Sequence, residues 1–245
     1  MRVNEEKCTG CQKCIDFCPV EAIQLKTVDV GSKKKKKAWI DENLCAECGN
    51  CKFVKVCPTD ALEETELRWP RSMRAILSNP LVEFKETGVT GRGTEEMKTN
   101  DVTGRFGSND IGISVDVGRP GGGTRLSELE KITKAVAQLG VEFEPGNPVT
   151  FLMVDKKTGE LKPEIRNENV VSAVIEFKVG PEKVLEVVRT LKGVAEDVNT
   201  VFSVGVINKV SDDGTIPIRS LLESGGISVR PNAKINMGLG KPLVP

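Results

Sequence analysis

The sequence contains no histidine and no tyrosine, and it contains no cysteine after Cys57. Without histidine, the chain cannot form a His-ligated zinc site, a Ser-His-Asp triad or a Cys-His nucleophile. Beyond Cys57, a side-chain acid or base must be Asp, Glu or Lys, and no thiol is present to carry sulfur. These absences count against a catalytic role for the larger, C-terminal part of the chain, and we predict no catalytic residue.

An excess of charge of one sign and long apolar runs are also absent. Lys and Arg together number 35, as do Asp and Glu, so the formal charges cancel. This balance argues against a protein-wide surface for nucleic acid, and any charged docking must be local. No apolar run approaches the roughly 20 residues that cross a bilayer, and the first residues are charged. We therefore expect a cytoplasmic protein without a membrane span.

The chain does have eight cysteines, none of them beyond Cys57, and they are arranged in two copies of one pattern. The first copy reads CTGCQKCIDFCP and the second reads CAECGNCKFVKVCP. The first three cysteines of each copy have the same spacing, and only the fourth is shifted, by two positions. The spacing C-x2-C-x2-C lets one tight loop bring three thiolates to a metal cluster while the fourth cysteine leaves for a second cluster.

Structural zinc and disulfides are the alternatives for such a set of cysteines. Zinc modules generally pair two C-x2-C knuckles instead of using a tandem C-x2-C-x2-C. Disulfides at this density are typical of small secreted domains, and we recognise no export signal in the sequence. Iron-sulfur ligation is therefore the favoured interpretation.

By this pattern, the segment 1–65 resembles the bacterial-type two-[4Fe-4S] ferredoxins. The resemblance implies an N-terminal electron-carrying domain with two [4Fe-4S] clusters. Carried over by motif position, one cluster would be held by Cys8, Cys11, Cys14 and Cys57, and the other by Cys45, Cys48, Cys51 and Cys18. One departure is that the stretch KFVKV separates Cys51 from Cys57, where the family usually has a stretch shorter by two. We expect this longer loop to change the solvent exposure, and hence the potential, of a neighbouring cluster.

The chain from Ile111 onward is expected to form a βαββαβ sandwich, which makes the fold class α+β. Periodicity predicts strands at Ile111–Val117, Val149–Val154, Val171–Val179 and Thr200–Ile207, with helices at Ser127–Leu139 and Pro181–Leu191. Ser127 and Glu130 are expected to form a capping box, and Pro181 to occupy a first-turn position. This order resembles ACT-like and related ferredoxin-fold domains in outline only, which implies nothing about function.

We accordingly divide the chain into a two-[4Fe-4S] ferredoxin domain (1–65), a linker with irregular Gly/Thr-rich loops (66–110), a βαββαβ domain (111–210) and a mostly irregular tail (211–245). Within the linker, a short helix is expected around Arg71–Leu77. Within the ferredoxin domain, Thr27–Val30 and Ala38–Ile40 predict a hairpin whose tip carries Lys33–Lys37. These lysines are either a docking patch for an acidic partner or an ordinary solvated tip.

Two segments are candidates for binding an anionic ligand. Similar loops carry Arg92 and Arg105, which could clamp a carboxylate or a phosphate. The stretch GRPGGGT, with Gly121 at its centre, lies between a predicted strand and a predicted helix, where backbone amides can hold a phosphate. The simpler alternatives are surface arginines without a ligand and a tight connection between strand and helix.

The sequence therefore predicts an iron-sulfur protein for electron transfer. We expect a subunit or dedicated carrier that passes low-potential electrons to or from a larger oxidoreductase of an anaerobe. In this it resembles fusion proteins of strictly anaerobic archaea and bacteria, including methanogens. Its partner would be a redox protein or an oxidoreductase complex. Two alternatives stay open: a ferredoxin-fed reductive enzyme, for example for sulfur transfer or reductive activation, with its active site in the C-terminal domain, and a ligand-sensing regulator of electron delivery.

Protein prepared without oxygen should contain about eight irons and about eight acid-labile sulfides per chain, because each of two cubanes holds four of each. Elemental analysis of the purified protein, together with a colorimetric sulfide assay, measures both quantities. Zinc without sulfide would contradict the prediction and favour a structural zinc module.

Overall fold

The computed structural model describes residues 1–86, 88–90, 104–119 and 122–230. Helices and strands both occur in this part of the chain, and the predicted α+β class is confirmed. The strands form one four-stranded sheet and several two-stranded pairs. Within the described ranges, no helix is long and apolar enough to cross a bilayer.

The N-terminal module consists of two strand pairs around a small core. Strand β1 (Arg2–Val3) pairs with β4 (Leu62–Glu63), and this antiparallel pair brings the two ends of the module together. Strand β2 (Ile23–Val30) pairs with β3 (Lys33–Ile40), and α1 (Asn50–Phe53) is a single helical turn within the second cysteine loop. Apolar side chains share the core with three cysteines: Met1, Ala22, Ile23, Ala38, Ile40, Ala61 and Leu62 with Cys8, Cys14 and Cys45.

The hairpin of β2 and β3 differs from the expectation in where its lysines lie. Only Gly31 and Ser32 separate the two strands, and Gly31 has a φ of +62°, a conformation that suits glycine. Lys33–Lys37 lie within β3 and are paired with residues of β2. The prediction of a basic tip is wrong, because a long lysine side chain reaches water from either face of a strand and therefore hides the alternation.

The remaining elements, in chain order, are α2 (Ser72–Ser78), β5 (Glu83–Phe84), β6 (Val89–Thr90), β7 (Ile111–Val117), β8 (Thr124–Arg125), α3 (Leu126–Ala137), β9 (Glu142–Phe143), α4 (Pro148–Phe151), β10 (Met153–Asp155), β11 (Glu160–Leu161), β12 (Asn169–Val170), β13 (Ala173–Val179), α5 (Val184–Val194), β14 (Phe202–Ile207) and α6 (Pro217–Ser224). The strand order of the antiparallel main sheet is β14-β7-β13-β9. Its two central strands bury their side chains in the core; Ile113, for example, pairs with Phe177. Helix α3 packs beside α5 over the same core.

Helix α2 lies in the segment that was expected to be a linker, close to the predicted short helix. Its Met73 and Leu77 side chains are 0% and 1% exposed and belong to the core of the C-terminal sheet. This helix is therefore a packed part of the C-terminal core. The proposed domain limits themselves stay a prediction.

The strand predicted at Val149–Val154 is wrong. Helix α4 occupies the first part of that segment, and the short strand β10 follows it. Asn147 precedes the helix, and its side chain accepts a hydrogen bond from the N–H of Val149 at 2.7 Å. An Asn N-cap followed by Pro148 is a helix-start signal, and here it outweighs the β-branched residues that follow.

The capping box predicted for Ser127 and Glu130 does not form. Helix α3 begins at Leu126 without a side-chain cap. The Glu130 carboxylate instead accepts from the N–H of Leu161 at 2.8 Å and pairs with the Arg166 guanidinium at 2.9 Å. A buried carboxylate gains more from a guanidinium than from a helix amide, so the distant partner prevails.

Helix α6 lies in the segment that was expected to be mostly irregular. Its Ile218 and Leu222, one helical turn apart, are buried in the C-terminal core. The rest of that segment, residues 231–245, lies outside the described part of the chain.

Replacing Leu77 with Ala should lower the free energy of unfolding by about 2–5 kcal/mol, because the change leaves a cavity in the core. Leu81, which lies just beyond the end of α2 and is 73% exposed, provides the matched control. Leu81→Ala should change the stability by less than about 0.5 kcal/mol. Urea unfolding followed by circular dichroism measures both variants, and equally small effects would contradict the burial of α2.

Candidate metal centres

The eight cysteine side chains line two cavities in the N-terminal module, four to each cavity. The first, called the Cys8 cavity, is lined by Cys8, Cys11, Cys14 and Cys57. The second, called the Cys45 cavity, is lined by Cys18, Cys45, Cys48 and Cys51. None of the eight forms a disulfide. In the described part of the chain, no group of three or more Cys, Asp or Glu side chains has the arrangement that would hold a single metal ion.

The two cysteine loops share left-handed residues at equivalent positions. Positive φ values occur at equivalent positions of the two copies: Gly10, Gln12 and Glu21 in the first, and Glu47, Gly49 and Asp60 in the second. Left-handed residues turn neighbouring N–H groups toward one side of a loop, where they can bind a group rich in acceptor atoms. This conformation is strained for a side chain such as Gln or Glu, so the recurrence indicates a common demand on both loops.

Backbone N–H groups donate to the sulfurs of the two cysteines that precede proline. The N–H of Ala22 is 3.2 Å from Cys18 Sγ, and the N–H of Ala61 is 3.2 Å from Cys57 Sγ. Burial opposes ionisation of Cys57, but donors from Ala61 and Thr59 outweigh it and lower the pKa of this thiol. Such donors stabilise thiolate and sulfide charge, which is what a thiolate-ligated cluster requires.

Burial raises the pKa of other thiols in both sets. The pKa of Cys51 rises to about 12 and that of Cys45 to about 11. Desolvation is likewise the main reason for the raised pKa values of Cys14 and Cys48. Thiols so buried become thiolates when a cation compensates their charge, as iron does in a cluster. The donor sets therefore fit two thiolate-ligated [4Fe-4S] groups.

The cysteine pattern alone does not reveal a buried carboxylate, Glu47, which lies between Cys45 and Cys48 in the loop of the Cys45 cavity. Glu47 is 4% exposed, and it accepts hydrogen bonds from the Met1 amino group at 2.5 Å and from Arg71 at 2.6 Å. Burial opposes ionisation of Glu47, but these cations outweigh it and lower its pKa. The repeat contains a signal for this residue, because Glu47 is a charged residue at the position where the first copy has Gly10.

Strand β3 packs against the cysteine loop of the Cys8 cavity. The N–H of Ala38 is 3.4 Å from Cys8 Sγ, and Lys37 Nζ donates to the carbonyl oxygen of Cys8. A Cβ atom at Gly10 would lie only 2.1 Å from the carbonyl oxygen of Lys36. Glycine is thus required at this position both by the left-handed φ of +72° and by this close approach.

The longer loop between Cys51 and Cys57 exposes apolar side chains. Helix α1 ends within it, and Phe53 and Val54 are 39% and 44% exposed. The Phe53 ring packs over Gly49, where a Cβ atom would lie 2.7 Å from the ring. The effect of this loop on a cluster potential stays a prediction.

The candidate anion sites are only partly within the described residues. Arg92 and Gly121 lie outside them. Arg105 forms an ion pair with Glu144. In the glycine-rich stretch, a Cβ atom at Gly123 would lie 2.7 Å from the carbonyl oxygen of Val170 and 3.0 Å from Val20. This glycine therefore permits close packing between the two halves of the molecule, while binding of an anion stays a prediction.

Comparison with known families agrees with this geometry. Residues 7–61 match the family model described as a 4Fe-4S dicluster domain. This segment holds two [4Fe-4S] clusters. The predicted resemblance to two-cluster ferredoxin domains and the predicted cofactors are confirmed for these residues. No solved structure matches the chain.

The following three curated relatives are each similar over about a quarter of the chain. Indolepyruvate oxidoreductase subunit IorA of Pyrococcus abyssi is 43% identical over 63 residues, which cover 26% of this chain and 8% of that protein. NADH-quinone oxidoreductase subunit I 2 of Symbiobacterium thermophilum is 37% identical over 65 residues, covering 25% of this chain and 26% of that protein. The polyferredoxin MvhB of Methanothermus fervidus is 37% identical over 59 residues, covering 24% and 14%. The chain thus spans a small fraction of each relative.

Replacing Gly10 with Ala should lower the iron and sulfide content of anaerobically prepared protein, because the new Cβ atom collides with the backbone of β3. Gly31→Ala is the matched control, since Gly31 also has a positive φ but no atom lies within 4 Å of its Cβ position. That variant should keep its clusters and lose only about 1 kcal/mol of stability. Equal iron contents in the two variants would show that the close approach to Lys36 is unimportant.

Proposed function

We propose that this protein carries electrons as a subunit or dedicated carrier of a larger oxidoreductase, in the cytoplasm of an anaerobe. The pair of four-thiol cavities carries the proposal, since four cysteine ligands per cluster leave no open iron site for a substrate. When bound, each cluster supplies one-electron exchange. The name of the relative IorA, an oxidoreductase subunit, supports a role in an oxidoreductase, and the name of the polyferredoxin MvhB supports a role as an electron carrier.

We assign the ligands of the two clusters by the cavity that each thiol lines. Cys8, Cys11, Cys14 and Cys57 would hold one cluster, and Cys18, Cys45, Cys48 and Cys51 the other. The assignment uses every cysteine of the chain once. It also ties the two copies of the repeat together, because each set draws one ligand from the other copy.

The basic face of the hairpin is the docking surface that we propose for the electron-transfer partner. Lys33 and Lys35 are exposed and lie on the same face of β3 as Lys37, which contacts the carbonyl oxygen of Cys8. Cys11 of the same cavity is exposed, so this cavity comes close to the surface. A partner with an acidic surface would be steered toward it by charge.

We infer that the C-terminal domain supplies recognition and leaves the redox chemistry to the clusters. In chain order, the elements β7, α3, β9, β13, α5 and β14 support the βαββαβ assignment and its ACT-like outline. Such a fold hosts many functions, so the assignment does not itself name a ligand. The absence of Cys, His and Tyr beyond Cys57 remains the argument against catalysis there.

Anaerobic affinity purification from the native organism, followed by stopped-flow kinetics, tests this function. The reduced protein should transfer electrons to the redox protein that it retains. Changing Lys33 and Lys35 to Glu should slow this transfer at low ionic strength by about tenfold or more, because steering is lost. The difference should shrink as salt is added.

The matched control is the double change of Lys156 and Lys157 to Glu, which alters the charge equally at exposed lysines of the C-terminal domain. This control should transfer electrons at the wild-type rate. The proposed function would be contradicted if the protein retains no redox protein and its reduced clusters transfer electrons to no redox protein. Equal rates for both charge reversals would reject only the docking surface.

A further inference from the structure

Arg74 of helix α2 joins the C-terminal core to the Cys45 cavity. Its side chain is 7% exposed, and its Nη1 donates to the carbonyl oxygens of Glu42 and Cys45, each at 2.7 Å. Its Nε forms an ion pair with the Glu168 carboxylate, which is 11% exposed. A buried guanidinium therefore lies directly against the backbone of a cysteine that lines the second cavity.

The segment that carries Glu168 is attached to both sides of this junction. Asn169 donates from its side chain to the carbonyl oxygen of Asn43, in the loop that leads to Cys45. The N–H of Val171 donates to Ser78 Oγ of α2 at 2.9 Å. These contacts fix the position of the Arg74–Glu168 pair relative to the cysteine loop, so its charges have a defined orientation.

The orientation of the pair decides its electrostatic effect. The guanidinium lies on the Cys45 side and the carboxylate on the C-terminal side, so the pair presents its positive end to the cavity. Reduction adds an electron to a cluster, and a nearby positive charge stabilises that added negative charge. The effect of a charge is larger in a buried position than in water.

We propose that Arg74 is a positioning residue that raises the reduction potential of the cluster held by the Cys45 set, and that Glu168 limits this increase. The C-terminal domain thereby sets the potential of one cluster through its own side chains. The proposal rests on the ligand sets and the electron-transfer role given above. It extends them, because it makes the second domain part of the redox centre and predicts that the two clusters respond differently to one substitution.

An EPR-monitored redox titration of the full-length protein tests the proposal. Arg74→Gln should shift the midpoint potential of one cluster to a more negative value. Glu168→Gln should shift the same cluster to a more positive value, because the Arg74 charge is then no longer neutralised. Arg74→Lys, which keeps the charge, should restore most of the wild-type potential.

Lys37→Gln should lower the potential of the other cluster, which identifies the transition of the Cys8 set.

The matched control is Arg166→Gln, which removes a guanidinium whose carboxylate partners, Glu130 and Glu160, both lie in the C-terminal domain. It should leave both potentials at the wild-type value. Unchanged potentials in Arg74→Gln and Glu168→Gln, or shifts of the same sign, would overturn the proposal. If Arg74→Gln does not retain its clusters, the sign of the Glu168→Gln shift decides. If these variants still transfer electrons to the partner and neither midpoint potential shifts, this inference is rejected and the proposed function stands.

Discussion

Thiols that hold an iron-sulfur cluster must carry negative charge in a place from which water is largely excluded, and the N-terminal module is built around this demand. Burial raises the pKa of Cys51 and Cys45 far above neutrality. The chain supplies N–H donors such as that of Ala61 and left-handed loops that repeat in both copies. Because ligation contributes to folding as well, a core of few apolar residues suffices for the module.

The parts of the molecule that follow from local chemistry could be predicted from the sequence. Cysteine spacing within one loop indicates a cluster before any fold is known, because the ligands are neighbours in the chain. Helices α3 and α5 followed from apolar periodicity for the same reason. The lysines of β3 were placed in a turn because a run of lysines shows no alternation of polar and apolar residues, which is the usual signal of a strand. Helix α4 was missed because the β-branched residues after Asn147 and Pro148 favoured a strand, although the Asn-Pro pair is a helix start.

Contacts between distant residues could not be predicted in this way. Glu130 was expected to cap its own helix, but its partner Arg166 lies beyond strands β9 to β11. Arg74 falls within the short helix expected around Arg71–Leu77, and the sequence did not single it out, although it joins Cys45 to Glu168 across the junction. Polar residues of this kind can be assigned only when the fold shows which of them are buried, since a charge that is removed from water needs a partner.

The close packing of Gly123 against Val20 bears on how such a protein evolves. In a ferredoxin that stands alone, no second domain packs against the module and limits the size of its surface side chains. Here the residue that follows Cys18 and Pro19 meets a glycine of the second domain, so a bulkier side chain on either side would push the two halves apart. This packing limits which side chains position 20 can carry, and the φ of +101° at Gly123, together with the nearby Val170 backbone, keeps that glycine from changing to match.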